Sequence, residues 1–512
     1  MNLAVLALLV LSASANAAGD GIIKVGYTIM DEEGNKSVNA GTFNSYPGLG
    51  LSLEKFRLIV LSGLRFNADL RNISLNNRNI ILGVDRPGLF GLQITNNQYR
   101  RIYDFEGNSF TRRRQTGGSF WVFPNRYLKL FAGGNLIGLA GNVVDLYNTE
   151  GFGSRANLDY SQKSYNGGLR LNYQGKMFQA EYRATEYTNN NDATKDQKRY
   201  IIRLDALAPV PQFEQLVLNG GFRHFETKYN ENNFKISSNM VWGGANYKFA
   251  GHYSLNYSFI LDRTGSDSDY VATDNIAHAA YLGYNNPGIG GLTVGYQNDI
   301  NDDFEDEIKA DSYYLSGWLI AAKYLELRGL YGNRAEKVED GWRLTGDEDR
   351  TRYKISARYR PNSYGTVSAA FENRHRKNDQ ISSEADFNRF SIDGTLKLAG
   401  YGDAAIGYSY AAGDYQNPTD QFEFADHILY GTLNSIEYFD HISAGFGAQY
   451  YRSRRDLDVE SFTLNFMLNY RFVKNHHLEI RYNIHNFDDF IVNDRYYTAN
   501  IIEIELIKEL SL

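Results

Sequence analysis

From Val459 the chain reads VESFTLNFMLNYRF, which puts Phe462, Leu464, Phe466, Leu468, Tyr470 and Phe472 on one parity and Ser461, Thr463, Asn465, Asn469 and Arg471 on the other. A period of two with one apolar and one wet face is the signature of a β-strand. The next segment repeats it, with Leu478, Ile480, Tyr482 and Ile484 opposite Glu479, Arg481, Asn483 and His485. So does Arg352 to Arg360, with Tyr353, Ile355, Ala357 and Tyr359 opposite Lys354, Ser356 and Arg358. The rhythm hardly varies over hundreds of residues. A large soluble β-protein would bury some strands on both faces and blunt its edges. Uniformly one-sided strands instead fit a closed barrel with hydrocarbon outside and water within.

The connections carry a second rhythm. After Phe178, short turns such as Gly175-Lys176, Asn286-Pro287-Gly288, Arg360-Pro361-Asn362 and Lys474-Asn475-His476 alternate with longer polar stretches. The longer set includes TNNNDATKDQ from Thr188, RTGSDSDYVATD from Arg263, NDINDDFEDE from Asn298, AEKVEDGWRLTGDEDR from Ala335, RKNDQISSEAD from Arg376 and GDYQNPTDQFE from Gly413. Bacterial barrels keep short turns in the periplasm and longer loops outside, so the second set is expected to face outward. Before Asn157 the same alternation places strands near Ile22–Met30, Gly48–Arg57, Leu64–Ile73, Arg78–Val84, Leu89–Phe105, Gly118–Phe123 and Arg126–Ile137. The expected fold is all-β: a single large transmembrane antiparallel β-barrel of about 26 strands, in a range of roughly 22–28, with both termini periplasmic. The prolines lie in or beside connections, as a sheet without interior proline requires.

Composition agrees with this reading. The 512 residues include 39 Tyr, 48 Gly, 8 Pro and no Cys, and the mean hydropathy is −0.46. No apolar run beyond the first residues is long enough for a membrane helix, whereas a barrel looks hydrophilic on average and concentrates aromatics at the lipid–water interfaces. The start, MNLAVLALLVLSASANA, has an apolar core from Leu3 to Leu11 and a small-residue cleavage pattern ending at Ala17. It reads as a signal peptide over 1–17, leaving a barrel domain over 18–512 and placing the protein in the bacterial outer membrane. Without cysteine there is no disulfide, thiolate metal site or covalent CxxCH haem attachment. A net charge of −7 gives no general reason to expect nucleic-acid binding.

The polar parity should line the lumen, because charge on the lipid face costs a few kcal/mol near midplane. That set comprises Arg170, Asn172, Glu181, Arg183, Arg328, Lys354, Arg358, Asn465, Arg481 and His485. Its signs are mixed and no single-sign ladder emerges from the spacing, so these side chains solvate the interior, tune ion selectivity or grip an inserted partner. Arg112, Arg113 and Arg114, expected in the outward loop after Phe105, are candidates for lipopolysaccharide phosphates or an acidic partner. The acidic set Asp299, Asp302, Asp303, Glu305, Asp306 and Glu307 lacks the spaced ligands and turn glycine of an EF-hand. It reads as a solvated outer loop, and no metal site is expected. No HExxH pair, GxSxG elbow or phosphate-binding glycine loop occurs. A surface enzyme would need His224, His375 or His485, near outer strand ends, to find distant partners. The expectation is a non-enzyme.

Three N-terminal segments, NSYPGLGLSLEKFR from Asn44, LRNISLNNRNIILGVDRPGLFGL from Leu70 and YRRIYDFEGNSFTRRR from Tyr99, resemble the outer-membrane barrel subunit of porin–cytochrome electron conduits, the decahaem-associated MtrB/PioB-type family. The rest of the chain is similar to it only in strand rhythm. The resemblance implies a barrel of about 26 strands that sheathes a periplasm-facing multihaem c-type cytochrome and docks an outer one. Electrons would cross the outer membrane through haems isolated from lipid. This chain would then bind no cofactor itself, and its partners would be outer-membrane lipid and periplasmic and surface multihaem cytochromes. Filling also suits a barrel this wide, since an empty one would leak and the sequence shows no obvious long loop to fold inward. The rival reading is a general or solute-selective porin.

Overall fold

A strand in lipid must hand every backbone N–H and C=O to a neighbour, and a row of such strands leaves no orphan edge only if it closes on itself. The computed structural model describes residues 18–38, 42–60, 63–103, 107–144, 155–231, 234–267, 272–303, 306–339, 347–398, 401–435, 441–492 and 495–511. The expected signal peptide lies outside these residues. Strands run in chain order from β1 (Ala18–Gly34) to β26 (Tyr497–Ser511) and form one 26-stranded antiparallel sheet in which consecutive strands pair. The sheet closes through β1 and β26, in continuous register from Asp20 opposite Ser511 to Gly34 opposite Tyr497. With an even strand number both termini share one end, which is also the end of the tight turns and therefore the periplasmic end.

Twenty-six strands spaced about 4.8 Å apart and tilted by roughly 40° enclose a cylinder on the order of 50 Å across between backbones. Among the described residues the only helical element is a single 3₁₀ turn, Ala193–Lys195, capped by the Asp192 carboxylate accepting from the Thr194 N–H. No described helix is long and apolar enough to cross a membrane. The outer face carries the large exposed apolar side chains, such as Leu292, Val294, Leu315, Ile355, Ile406 and Phe466. Aromatic rings cluster at its periplasmic border, where Tyr247, Phe249, Tyr253 and Tyr284 form a chain of contacts with centroids 5.1–5.7 Å apart. At the tight turns the sequence supplies the needed backbone: Gln174 and Gly175 both take positive φ, 49° and 77°, as a two-residue hairpin demands.

The outer connections differ from expectation. Much of most predicted loops is strand: in NDINDDFEDE, β15 (Gly290–Asp303) and β16 (Asp306–Ala322) take all but two residues, and in RKNDQISSEAD β19 (Gly365–Asn378) and β20 (Ser383–Leu398) leave four. The reason is height. A 15-residue strand such as β21 (Gly402–Gln416) rises roughly 35–40 Å along the axis while the apolar band of a barrel is about 25 Å. The wall therefore continues as polar hairpins above the lipid, where turn-like composition no longer marks a turn.

The N-terminal wall is uneven. β3 (Leu64–Arg71) and β4 (Asn79–Arg86) have only eight residues each, between β2 (Gly48–Val60) and β5 (Phe90–Ile102). Two segments fold over this low stretch. The β3–β4 turn leans onto the inner face of β2, where Gly50 has no side chain to obstruct it: a Cβ there would sit 3.2 Å from Asn72 and 3.7 Å from Leu75. The β1–β2 connection bridges from β26 to β5. Tyr497, fully buried, donates its hydroxyl hydrogen to Glu32 and is hydrogen-bonded to the Thr42 hydroxyl, 2.9 Å away. At the other end Arg100 donates to the Phe43 and Ser45 carbonyls, and its guanidinium lies 4.3 Å over the Tyr46 ring. The segment thus crosses the rim above the short hairpin, held by the inward-parity Tyr497 at one end and by Arg100, on the outward parity of β5, at the other. Removing the Tyr497 hydroxyl (Tyr497→Phe) is expected to cost about 1–3 kcal/mol. Limited proteolysis between Asn35 and Pro47 should then accelerate while the rest of the barrel stays resistant.

Candidate functional site

The inner wall is where this chain can do chemistry or hold a partner, and strict alternation decides which residues reach it. On β8 (Arg155–Tyr173) and β9 (Lys176–Asn189), Leu171, Tyr173, Phe178 and Tyr182 are exposed on the outer face. Arg170, Asn172, Glu181 and Arg183 therefore share the inner one. Arg170 Nε lies 3.4 Å from Asn172 Oδ1 and Arg183 donates to Glu181 at 3.1 Å. By the same parity Arg328 on β17 (Leu325–Glu339), Lys354 and Arg358 on β18 (Glu348–Tyr359), Asn465 on β24 (Val459–Val473), and Arg481 and His485 on β25 (His476–Asp489) sit on the inner face. They are spread around the cylinder on six different strands.

Two inner regions concentrate charge. At the closing seam, Lys24 on β1 reaches Glu54 on β2 at 3.2 Å and Glu505 on β26 at 3.7 Å. Arg481 next door pairs with Glu479 and reaches Glu503 at 3.4 Å and Glu505 at 3.8 Å. Four carboxylates thus surround two cations. Ser45, Tyr46, Asn72 and Leu75 from the folded-over segments help roof the same site, which encloses about 300 Å³.

The second region lies on β17–β20. Inner positions of β18 and β19 hold Arg350, Arg352, Lys354, Arg358, Arg374 and Arg376 against only Glu348 and Glu372. Register sets Arg334, Arg350 and Arg376 side by side, and Arg352 beside Arg374. Glu372, with its side chain 8% exposed, receives Arg352 at 2.9 Å and Arg374 at 2.7 Å, with Lys354 at 3.9 Å. Glu348, 5% exposed, pairs with Arg350 and receives Arg376 at 2.6 Å. Arg334 is held by Asp299 at 2.5 Å, and Arg389 on β20 donates to Ser409 at 3.3 Å. The groove between these side chains and Phe387 measures about 640 Å³. A cation-rich patch does emerge here, although Glu336, 3.5 Å from Arg334, and the buried Glu348 and Glu372 stand among the cations, so the signs remain mixed as the sequence reading has them. The available signal was RTRYK from Arg350 and RHR from Arg374, same-parity arginines on two successive strands, and only the register shows that they coincide.

Other candidates land elsewhere. Arg112, Arg113 and Arg114 belong to strand β6 (Phe110–Val122), not to a loop, because the alternation continues through them above the lipid. Arg112 and Arg114 share the parity of the outward Phe120, while Arg113 points with Gln115 to the inside. Of the acidic set, Asp299, Asp302 and Asp303 are in β15 and Asp306 and Glu307 in β16, while Glu305 lies outside the described residues. His224 on β11 (Phe213–Tyr229) bonds Asn239 at 2.8 Å, His375 lies 3.0 Å from Asp386 and 3.9 Å from Glu384, and His485 is on β25. The three histidines occupy separate strands and do not converge. His375, Glu384 and Asp386 are the only described His and carboxylate groups close enough to share an ion, and they lie on the outward parity.

Comparison with solved structures places this architecture. Over 87% of this chain and 86% of the other, it superposes on the siderophore receptor PirA of Pseudomonas aeruginosa with a TM-score of 0.53 and 11% identity. A variant of the ferric enterobactin receptor PfeA from the same organism matches over 97% of this chain and 81% of its own, with a TM-score of 0.55 and 10% identity. The chain has the fold of a bacterial outer-membrane barrel. Identity this low shows fold alone. No family model and no curated protein sequence matches.

Proposed function

We propose that this protein is an outer-membrane barrel that sheathes a multihaem c-type cytochrome and so supports electron transfer across the outer membrane. The observation that carries the reading is a closed 26-stranded wall whose described residues supply no domain to fill it. A bore on the order of 35–40 Å remains after allowing for inner side chains, and a folded domain of about 100 residues, with a radius of gyration near 13 Å, fits within it. The inner wall is suited to hold such a body: ion pairs and amides cover it, and the cations of β17–β20 are half-exposed toward the lumen. The N-terminal resemblance to conduit barrels names the class of occupant. Haem chemistry belongs to that partner, since this chain has no cysteine to bind haem covalently.

A second reading, a solute-selective porin, draws on the arginine field, which would favour anions in an open pore. The siderophore and enterobactin receptors share the fold but point to uptake of iron chelates, a reading supported by nothing in this inner wall beyond the fold. Co-expression with an exported CxxCH-rich protein, followed by detergent extraction and affinity purification of the barrel, separates these. Retention of a haem-staining partner in fixed ratio is the expected result. Anion-selective conductance with no partner retained would give the porin.

A further inference from the structure

The arginine array on β17–β20 is more than a solvated lining. Setting arginines directly opposite one another across strands is destabilising in itself, and Arg334, Arg350 and Arg376 form such a row, with Arg352 and Arg374 in the next. A wall that only needed to be wet would set cations opposite carboxylates throughout, as Lys354 opposite Glu372 does. Here the two inward-facing acidic residues of β18 and β19, Glu348 and Glu372, are buried beneath the cations, each shared by two or three of them. That leaves the guanidiniums fixed in position yet 47–60% exposed to the lumen. Buried carboxylates that orient half-free arginines build a preorganised anion receptor.

We infer that this basic arc is the docking surface for the acidic face of a folded protein held in the lumen, and the inference rests on the sheath reading above. Size favours a protein over a small anion. From the row of Arg376 to Arg358, across four strands, the field extends roughly 15 Å by 25 Å, close to half the area per partner of a standard interface at about 800 Å². Charge around the ring gives the contact a direction. The seam at β25, β26, β1 and β2 instead encloses Glu54, Glu479, Glu503 and Glu505 with Lys24, Arg481 and Arg71 beneath the folded-over segments. A partner with one acidic flank is therefore attracted to β17–β20 and finds cations outnumbered by carboxylates at the seam, which fixes its rotation about the barrel axis.

The test uses the whole detergent-solubilised barrel and a fluorescein-labelled poly-glutamate peptide, read by anisotropy at low salt. Binding is expected, and Arg352→Gln with Arg374→Gln should weaken it by roughly tenfold or more, as loss of two charge-assisted contacts implies. Because that pair also touches Glu372, Arg358→Gln, on the same face of β18 but away from that carboxylate, serves as a second variant and should weaken binding in the same direction. Arg170→Gln with Arg183→Gln, on β8 and β9, should leave it unchanged. Equal loss in all three variants, or no loss in either β18–β19 variant, overturns the inference. Displacement of the peptide by inorganic phosphate at matched charge concentration also overturns it, since that marks a small-anion filter. Selective peptide binding in a barrel that retains no haem-staining partner supports the docking surface and removes only the cytochrome as its occupant.

Discussion

Replacing Phe466 with arginine is expected to destabilise the barrel by about 2–4 kcal/mol, whereas arginine at the adjacent Asn465 should change stability by less than about 1 kcal/mol. Phe466 lies at the middle of β24, on the outer face, paired with Phe446 and Tyr482 and 39% exposed to what would be acyl chains. A guanidinium there must be desolvated or drag water and headgroups toward midplane. Asn465 is one residue earlier, exposed on the inner face beside Gly447 and Asn483, where a guanidinium stays hydrated. Denaturant midpoints of folded, detergent- or lipid-embedded barrel measure both. A penalty at Asn465 matching that at Phe466 would mean that both faces of this strand see the same medium.

Lys24→Glu should be the most damaging single substitution on the inner wall. The lysine makes the ion pair to Glu54 at 3.2 Å, and it shares Glu505 with Arg481. Reversing it puts a fifth carboxylate into a group of four, with side chains of Lys24 and Glu54 only 15% exposed. Breaking a pair this enclosed costs on the order of 3 kcal/mol, and the loss falls on the β1–β26 pairing that closes the sheet. The expected readout is loss of the fast-migrating folded band in unheated gels at a temperature well below that of the parent protein. Lys24→Met, which removes attraction without adding repulsion, should fall between the two.

The fold was legible because a barrel is a repeated local rule. Each strand had only to alternate, as Phe462 to Phe472 does, and the repetition carried the closed all-β architecture and its even strand number. Errors arose where a residue obeyed a different constraint from the one its type suggests. Arg112 to Arg114 looked like loop but sit in β6, since strand above the lipid has no need to be apolar. The β1–β2 connection folds over a low hairpin, because Thr42 and Phe43 find cover against Tyr497 and Arg100 that no neighbouring residue in sequence announces. Which residues face inward was readable from parity. Which of them meet was not: Arg352 and Arg374 are separated by a turn whose length sets the register, and one residue more or less would have dispersed the arginine field.

The account turns on a wide cylinder that another protein fills. Electron cryo-microscopy of the barrel extracted in mild detergent from the native outer membrane tests this most directly. The predicted image is a closed wall of 26 strands around a separate folded polypeptide, in contact with β17–β20. An empty bore, or one occupied by residues of this same chain, would contradict it.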